Sequence, residues 1–429
     1  MSAAPLRLGL AGLGTVGIGV VRILQTEARL IAARAGREVV ITAVSARDRT
    51  KNRDADLSGY AWESDPVALA RRDDVDVFVE VMGGHEGAAK AATEAALAAG
   101  KDVVTANKAL LAHSGQALAE AAEAAGRVIR FEAAVAGGIP VIKALTEGLA
   151  GNRMKRVMGV MNGSCNYILT RMQAENLPYE TVFDEARQLG YLEADPNLDV
   201  GGIDAGHKLS LLASIAFGTR VAFDAVELEG IGNVSIDDIR LAEDMGYRIK
   251  LLGVAQMTGR GLEQRMTPCL VPADSPLGQL QGGTNMVVLE GDSVGQIVLR
   301  GPGAGMGPTA SAVMGDVIDL ARGFRLPTFG IPATALTAAQ PARAATPAPY
   351  YLRMTLVDKP GALAKIATCL GDAGVSIDQM RQYGHQGANA PVLIVTHKAA
   401  PDDVAHAMTR FAATGVLVGS PVAIRIEEV

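Results

Sequence analysis

Aromatic side chains are scarce in this chain: they make up 4% of 429 residues, with Trp62 the single tryptophan. Ring stacking on bases or sugars is therefore not a theme. Cysteine is scarcer still. Cys165, Cys269 and Cys369 are far apart and odd in number, which builds neither a disulfide framework nor a zinc spacing and suits a reducing cytoplasm. No apolar run reaches the roughly 18 residues of a spanning helix. The first residues, Met-Ser-Ala-Ala-Pro-Leu-Arg, lack the basic and then long apolar stretches of a signal peptide. Strong charge is missing too. A net charge of -6 makes no electrostatic case for nucleic acid or for an anionic membrane. What remains is a globular composition, 49% hydrophobic and 20% charged, in a length that holds two or three domains.

The first strong signal is Leu6-Arg-Leu-Gly-Leu-Ala11, a buried-strand candidate that runs into Gly12-Leu-Gly-Thr-Val-Gly17. Val16, Val20, Val21, Ile23 and Leu24 follow at helical spacing. A G-x-G-x-x-G run between a strand and a helix is a dinucleotide fingerprint. Gly12 permits the tight turn, Gly14 lets the backbone approach a pyrophosphate, and Gly17 lets helix and strand pack closely. The second strand, Val39–Val44, ends in Ser45, where an acid commonly holds ribose hydroxyls. Arg47, Arg49 and Lys51 follow. Cations there suit a 2′-phosphate, so NADP is favoured, with NAD still open; Asp48 argues for the ribose, and a solvated basic loop is the plainer reading.

Alternation continues with a strand Val75–Val81, the pair Gly83-Gly84 and an alanine-rich helix near Ala88–Ala99. The strand in Lys101-Asp-Val-Val-Thr-Ala-Asn-Lys108 puts Lys108 at a carboxyl end, where open α/β sheets bind ligands. A helix-start lysine is the alternative. Val128–Val135 is a further strand, breaking at Ala136-Gly-Gly-Ile-Pro140. Glu132 with the turn carbonyls could ligate a hard cation, although such carbonyls more often meet water or amides.

From Val141 the texture changes. A helix over Ile142–Leu149 leads to Val157–Met161 and then to Asn162-Gly-Ser-Cys-Asn-Tyr-Ile-Leu169. The stretch Gly190–Lys208 collects Glu193, Asp195, Asp199, Asp204 and Lys208 around Pro196, Gly201 and Gly202. Asp204 and Lys208 are four apart on one helix face, which alone reads as a surface ion pair worth about 0.2–0.5 kcal/mol. Strands near Val226, Ile249–Val254, Leu262–Val271, Asn285–Glu290 and Ser293–Arg300 suggest an α+β region. A second glycine loop, Gly301-Pro-Gly-Ala-Gly-Met-Gly-Pro-Thr309, precedes an apolar helix face at Ala310, Val313, Met314 and Val317. The expected domains are 1–140, with helix 306–324 returning to it, and 141–305. Residues 331–349, proline-spaced and low in complexity, read as a linker. Residues 350–429 read β-α-β-β-α-β.

These motifs resemble the homoserine dehydrogenase family in its monofunctional form with a C-terminal ACT domain, over essentially the whole chain. They are the 12–17 fingerprint, Thr-Ala-Asn-Lys (105–108), Glu-Ala-Ala-Val-Ala-Gly-Gly-Ile-Pro (132–140), the 162–169 run, Gly190–Lys208 and Gly-Pro-Gly-Ala-Gly (301–305). The block from Glu193 to Lys208 is the most specific. The resemblance implies an α/β fold with a Rossmann-type nucleotide domain, an α+β catalytic and dimerisation domain and a ferredoxin-like ACT domain. It implies Lys208 as catalytic acid/base, Asp204 as its partner and Glu193 on the substrate amino group. Gly190 and Gly305 would line the cofactor with Leu13, Thr15, Val16 and Lys108. Sodium would sit on Glu132 with Val135, Gly137 and Ile139. Asp358 and Gly361, in Asp-Lys-Pro-Gly, match the ACT effector turn, with threonine the expected inhibitor and a homodimer or homotetramer the expected assembly. One departure is Cys165, where many members carry Thr.

The expected reaction is reversible oxidation of L-homoserine to L-aspartate 4-semialdehyde with NAD(P), serving threonine, methionine and isoleucine synthesis. Two rivals stand beside it. Cys165 in Ser-Cys-Asn would serve an acylating semialdehyde dehydrogenase, with a histidine such as His207 as base. A non-catalytic amino-acid sensor would use the nucleotide structurally.

Overall fold

In the computed structural model, which describes residues 4–193, 195–384 and 387–428, the apolar run Leu6–Ala11 forms strand β1 and is almost fully buried. Helix α1 (Thr15–Ala35), β2 (Val39–Ser45), β3 (Ala61–Glu63), α2 (Pro66–Arg71), β4 (Val77–Glu80), α3 (Ala88–Ala98), β5 (Asp102–Thr105), α4 (Lys108–Ala124) and β6 (Ile129–Arg130) follow. The strands pair in parallel in the order β3-β2-β1-β4-β5-β6. Helices cover both faces, which is why Val77, Phe78 and Val79 of β4 and Val103 and Val104 of β5 are buried in succession instead of alternating. The order reverses between β1 and β4, so the carboxyl ends of those strands open a crevice where nucleotides bind.

The second region holds α5 (Val141–Lys143), β7 (Met154–Val160), α6 (Gly163–Glu175), α7 (Tyr179–Gln188), α8 (Asn197–Val200), α9 (Ile203–Phe217), β8 (Glu227–Leu228), α10 (Ile236–Asp244) and β9 (Tyr247–Thr258). It continues through β10 (Gly261–Pro272), β11 (Thr284–Gly291) and β12 (Gly295–Pro302). The expected helix over 142–149 is instead α5 followed by a π-turn at Ala144–Gly148. The strands run β12-β11-β7-β9-β10, antiparallel throughout. Helix α11 (Met306–Ala321) packs on the nucleotide domain, laying Ala310 and Met306 against Gly19 of α1.

The last unit is β13 (Tyr350–Val357), α12 (Ala362–Asp372), β14 (Ile377–Gln382), β15 (Asn389–Thr396), α13 (Pro401–Ala413) and β16 (Leu417–Ile426). Its sheet order is β16-β13-β15-β14, with Ile366, Leu370, Ile394 and Phe411 fully buried beneath it. It is not a separate body. Cys269 and Leu270 of β10 pair in parallel with Arg425 and Ile426 of β16, so the two sheets join into one.

The proline-spaced segment 331–349 is pinned rather than loose. Gln340 O accepts from Leu262 N at 2.7 Å and Arg220 N donates to Thr337 O at 2.8 Å. Ala333, Leu336 and Ala348 are buried. Composition concealed this, because the ties are backbone hydrogen bonds to other strands. Among the described residues no helix is long and apolar enough to cross a membrane.

Candidate active site

Helix α9 begins where Gly202 takes a left-handed backbone (φ 80°), turning the acidic loop into the helix. Asp204 falls in its first turn and Lys208 one turn further, so both point the same way. The Lys208 ammonium sits 2.6 Å from Asp204 Oδ2 and donates to Met161 O at 2.8 Å. It is buried, 9% exposed, which removes it from the class of surface pairs. A second lysine completes the arrangement. Lys108, from the nucleotide domain, lies 2.9 Å from Asp204 Oδ1. One carboxylate thus bridges two ammonium groups across the domain boundary.

Lys108 is placed by a chain of polar contacts at the sheet's carboxyl edge. Glu80 is fully buried; its Oε1 accepts from Met82 N and Gly83 N, and its Oε2 accepts from the Thr105 hydroxyl at 2.7 Å. Thr105 Oγ1 accepts from Asn107 N, and Asn107 caps α4 through Leu110 N. Lys108 is then the first residue of α4, where a cation opposes the helix dipole, and Asp204 offsets that. Desolvation works against the Lys108 charge, but Asp204, then Glu193 and Asp199, hold its proton above the usual lysine range. Burial likewise opposes ionisation of Asp204, yet Lys208 and Lys108 keep its carboxyl far below the ordinary range.

Asp199, part of the acidic run but given no role from sequence, organises the loop. Its carboxylate accepts from Asn162 Nδ2 at 3.0 Å and from Glu193 N at 2.9 Å. Glu193 is held there, exposed, with its charge felt by Lys108. Asn162 also caps α6 through Cys165 N at 2.8 Å. Cys165 is fully buried and its thiol donates to Asp199 O. Burial, then Asp199, pushes that thiol well above its ordinary pKa. A nucleophilic cysteine needs the opposite, an accessible thiolate, so the acylating rival fails. His207 does not attend the cysteine; its ring packs on Phe223 at 4.2 Å and on His113 at 5.4 Å. Burial, then His113, brings its pKa down to about 4, so it stays neutral.

The nucleotide crevice is a cleft of about 640 Å³ that gathers Gly12, Leu13, Gly14, Ser45 and Arg47. A Cβ on Gly17 would overlap Gly12 O, whereas Gly14 faces open space, which leaves room for a ligand. Thr15 and Val16 open α1 beside it. Asp48 turns its carboxylate to Thr50 N (2.8 Å) and Thr50 Oγ1 (2.7 Å). Arg53, overlooked in the sequence, donates to Leu13 O at 3.2 Å and stacks with Arg49 about Trp62. Lys108, Gly190 and Gly305 do not line this cleft. Gly190 ends α7 with φ 74° and Gly305 caps α11 with φ 122°.

Glu132 is buried, and its carboxylate accepts from Ile142 N (2.9 Å) and Lys143 N (2.8 Å) at the start of α5. Ile139 O accepts from Val141 N at 2.8 Å. Val135 extends from the short helix that Glu132 starts, and Gly137 packs against Gly303 with φ 54°. Among the described residues no group of three or more His, Cys, Asp or Glu is arranged for a metal ion. In the third domain Asp358 and Gly361 border a cavity of about 240 Å³ with Leu356, Gln382 and Ala390.

Comparison with known proteins matches three family models: "Homoserine dehydrogenase, NAD binding domain" over residues 12–132, "Homoserine dehydrogenase" over 140–318 and "ACT domain" over 350–415. The homoserine dehydrogenase of Neisseria gonorrhoeae is 43% identical, with 99% of each chain covered. That of Pseudomonas aeruginosa is 40% identical, again over 99% of each. The crystal structure of a homoserine dehydrogenase from Thiobacillus denitrificans superposes with a TM-score of 0.94 at 38% identity, covering 100% of both chains. A hyperthermophilic archaeal homoserine dehydrogenase in complex with NADPH matches 75% of this chain and 99% of its own, with a TM-score of 0.64 at 26% identity. The chain belongs to the homoserine dehydrogenase family, the NAD(P)-dependent oxidoreductases of amino-acid biosynthesis, in the form that carries an ACT domain.

Proposed function

We propose that Lys208 moves the hydroxyl proton in the reversible conversion of L-homoserine to L-aspartate 4-semialdehyde. The observation that carries this is the carboxylate of Asp204 shared between Lys208 and Lys108. An ammonium has three donors; Lys208 commits two to Asp204 and Met161 O and keeps the third for the substrate oxygen, giving that proton to the aldehyde oxygen in reduction and, as the neutral amine, taking it from the hydroxyl in oxidation. Asp204 favours the charged lysine, so its role is orientation. Glu193, carried on the same loop and unpaired with any described cation, takes the substrate ammonium. NADP, when bound, supplies the hydride acceptor.

Gly12, Leu13, Gly14, Thr15, Val16 and Gly17 would hold its phosphates at the α1 N-terminus. Arg47, with Lys51 and Arg53 on the same cleft wall, would take the 2′-phosphate. Asp48 also lines the cleft, but its Oδ1 is engaged by Thr50, which supports NADP over NAD, as does the NADPH complex of the archaeal relative. Lys108, Gly190 and Gly305 would meet the nicotinamide end upon closure of the two domains.

Three finer readings accompany this. Sodium would sit on Glu132 and the carbonyls of Val135, Gly137 and Ile139; its support is the buried Glu132 charge, which burial and then Asp316 push up to about 7. An amino-acid effector, threonine first, would bind at Asp358 and Gly361. A dimer or tetramer in a reducing cytoplasm fits three free, buried cysteines.

Lys208→Ala tests the central assignment. Turnover should fall by about 10²–10⁴-fold while NADPH affinity, read by fluorescence titration, holds. Near-normal turnover would remove Lys208 from the chemistry.

A further inference from the structure

Asn285 is only 1% exposed, and its Oδ1 is sealed from solvent without a hydrogen-bond partner among the described residues. An amide oxygen in that state has lost its water and gained nothing in return, so a donor that reaches it restores the difference. The residue lies near the start of β11, whose ladder with β7 opens on the pair Met286–Val160. That register, carried one step further, sets Asn285 across from Met161, whose carbonyl accepts from the Lys208 ammonium. On its other side Asn285 pairs with Gly301 of β12, the first residue of the second glycine loop. Strand alternation gives Asn285 the face of Val287 and Leu289, which pack in the core that holds Leu209 and Leu212 of α9.

The loop is pressed onto this amide. A Cβ on Gly303 would overlap the Asn285 side chain, and one on Gly137 would overlap Gly303 O. Gly138 N also ties the loop down, donating to Pro302 O at 3.1 Å. Asn285 is thus wedged between the backbone that seats Lys208 and the loop that leads through Gly305 into α11. We propose that Asn285 reads the cofactor: its Oδ1 accepts a hydrogen bond from the carboxamide N–H of the nicotinamide ring and so fixes which way the ring faces the substrate. This rests on the placement of the nicotinamide end against Lys108 and Gly305. The substrate offers no donor that is free for Asn285. Its ammonium goes to Glu193, its hydroxyl proton to Lys208, and its carboxylate only accepts. A primary carboxamide has N–H donors to spare. A ribose hydroxyl also donates, and the choice of cofactor analogue separates the two.

The test is calorimetric titration of the full chain with NADPH and with its 3-acetylpyridine analogue, whose methyl ketone keeps the carbonyl and lacks the N–H. Asn285→Ala should weaken NADPH at least tenfold and the analogue less than twofold. In homoserine oxidation kcat/KM should likewise fall further with NADP than with its acetylpyridine form. Asn285→Leu, close in size and without an acceptor, repeats the comparison should circular dichroism show the alanine variant unfolded. Equal weakening of both cofactors would make Asn285 a support for the loop or a ribose contact and overturn the proposal. A raised homoserine KM with unchanged NADPH affinity would assign the amide to the substrate and overturn it too, as would unchanged binding of both cofactors. A parent chain that neither binds NADPH nor oxidises homoserine would remove the cofactor reading itself, whereas an active parent with an indifferent Asn285 removes this inference alone.

Discussion

Asp204 is a single carboxylate set between two lysines from different domains, and its removal should be felt in more than one way. Asp204→Asn leaves two ammonium groups facing one another without compensation. Turnover should fall by 10²-fold or more. The charged form of Lys108, held by Asp204, should give up its proton at lower pH in Asp204→Asn, which an NMR titration of the Lys108 side chain reads. An unmoved titration would show that Asp204 does not hold that proton. Cys165 makes the converse case. Buried with its thiol pushed up, it should resist iodoacetamide, with peptide mass spectrometry showing it unmodified and activity retained. Labelling with parallel loss of activity would restore a covalent mechanism.

Much at this scale was legible and some was not. The i,i+4 spacing gave the Asp204–Lys208 contact but read by itself as a surface ion pair, and any catalytic role came only from the family resemblance; the turn at 12–17 was marked by its flanking strand and helix. Spacing cannot show that Lys108 crosses from another domain to share the same acid, nor that Asp199 ties Glu193 N to Asn162. Asn162 lies 37 residues from Asp199 and Lys108 belongs to a different domain from Asp204, beyond the reach of a local spacing rule. Arg53 escaped notice because its role depends on Trp62 and Leu13 O.

Among elements, the α8–α9 turn is braced rather than free. Its support is the backbone of residues 229–231, packed so closely that only glycine fits at position 230. Gly230→Ala should displace Val200 and Gly201, destabilise the fold by about 1–3 kcal/mol through overpacking, and lower kcat more than NADPH affinity. Denaturant melts with steady-state kinetics check both parts, and a fully active, equally stable variant would show the brace to be dispensable. The α/β alternation and the ACT order were readable because periodicity is local. The β10–β16 junction was not, because parallel pairing between distant strands leaves no pattern in either one. The ties of segment 331–349 went unseen for a related reason: prolines and alanines say nothing about which backbone N–H groups will donate to their carbonyls.

For the whole molecule, Glu132 links stability to pH. Burial and Asp316 push its carboxyl up to about 7, above the roughly 4.3 of an unfolded chain. The folded state therefore keeps a proton that the unfolded state has lost. That contribution is full below about pH 4.3 and is lost as pH rises through about 7. A cation favours the ionised carboxylate and competes with the proton. If sodium binds there, exchanging choline chloride for sodium chloride should raise Tm more at pH 8 than at pH 6. Equal shifts at both pH values would remove sodium from Glu132.

The joined sheet has a consequence for how the protein is made. Strand β10 is synthesised well before β16, and until β16 arrives the stretch Cys269–Leu270 presents open backbone groups beside a largely apolar strand. Such an edge is a template for pairing with another chain. Arg265 waits with it, since one of its two acids, Glu427, lies beyond β16. The ACT domain therefore seals a seam of the catalytic sheet as the nascent chain leaves the ribosome, and slowed translation ahead of β16 extends the time that seam is exposed to aggregation.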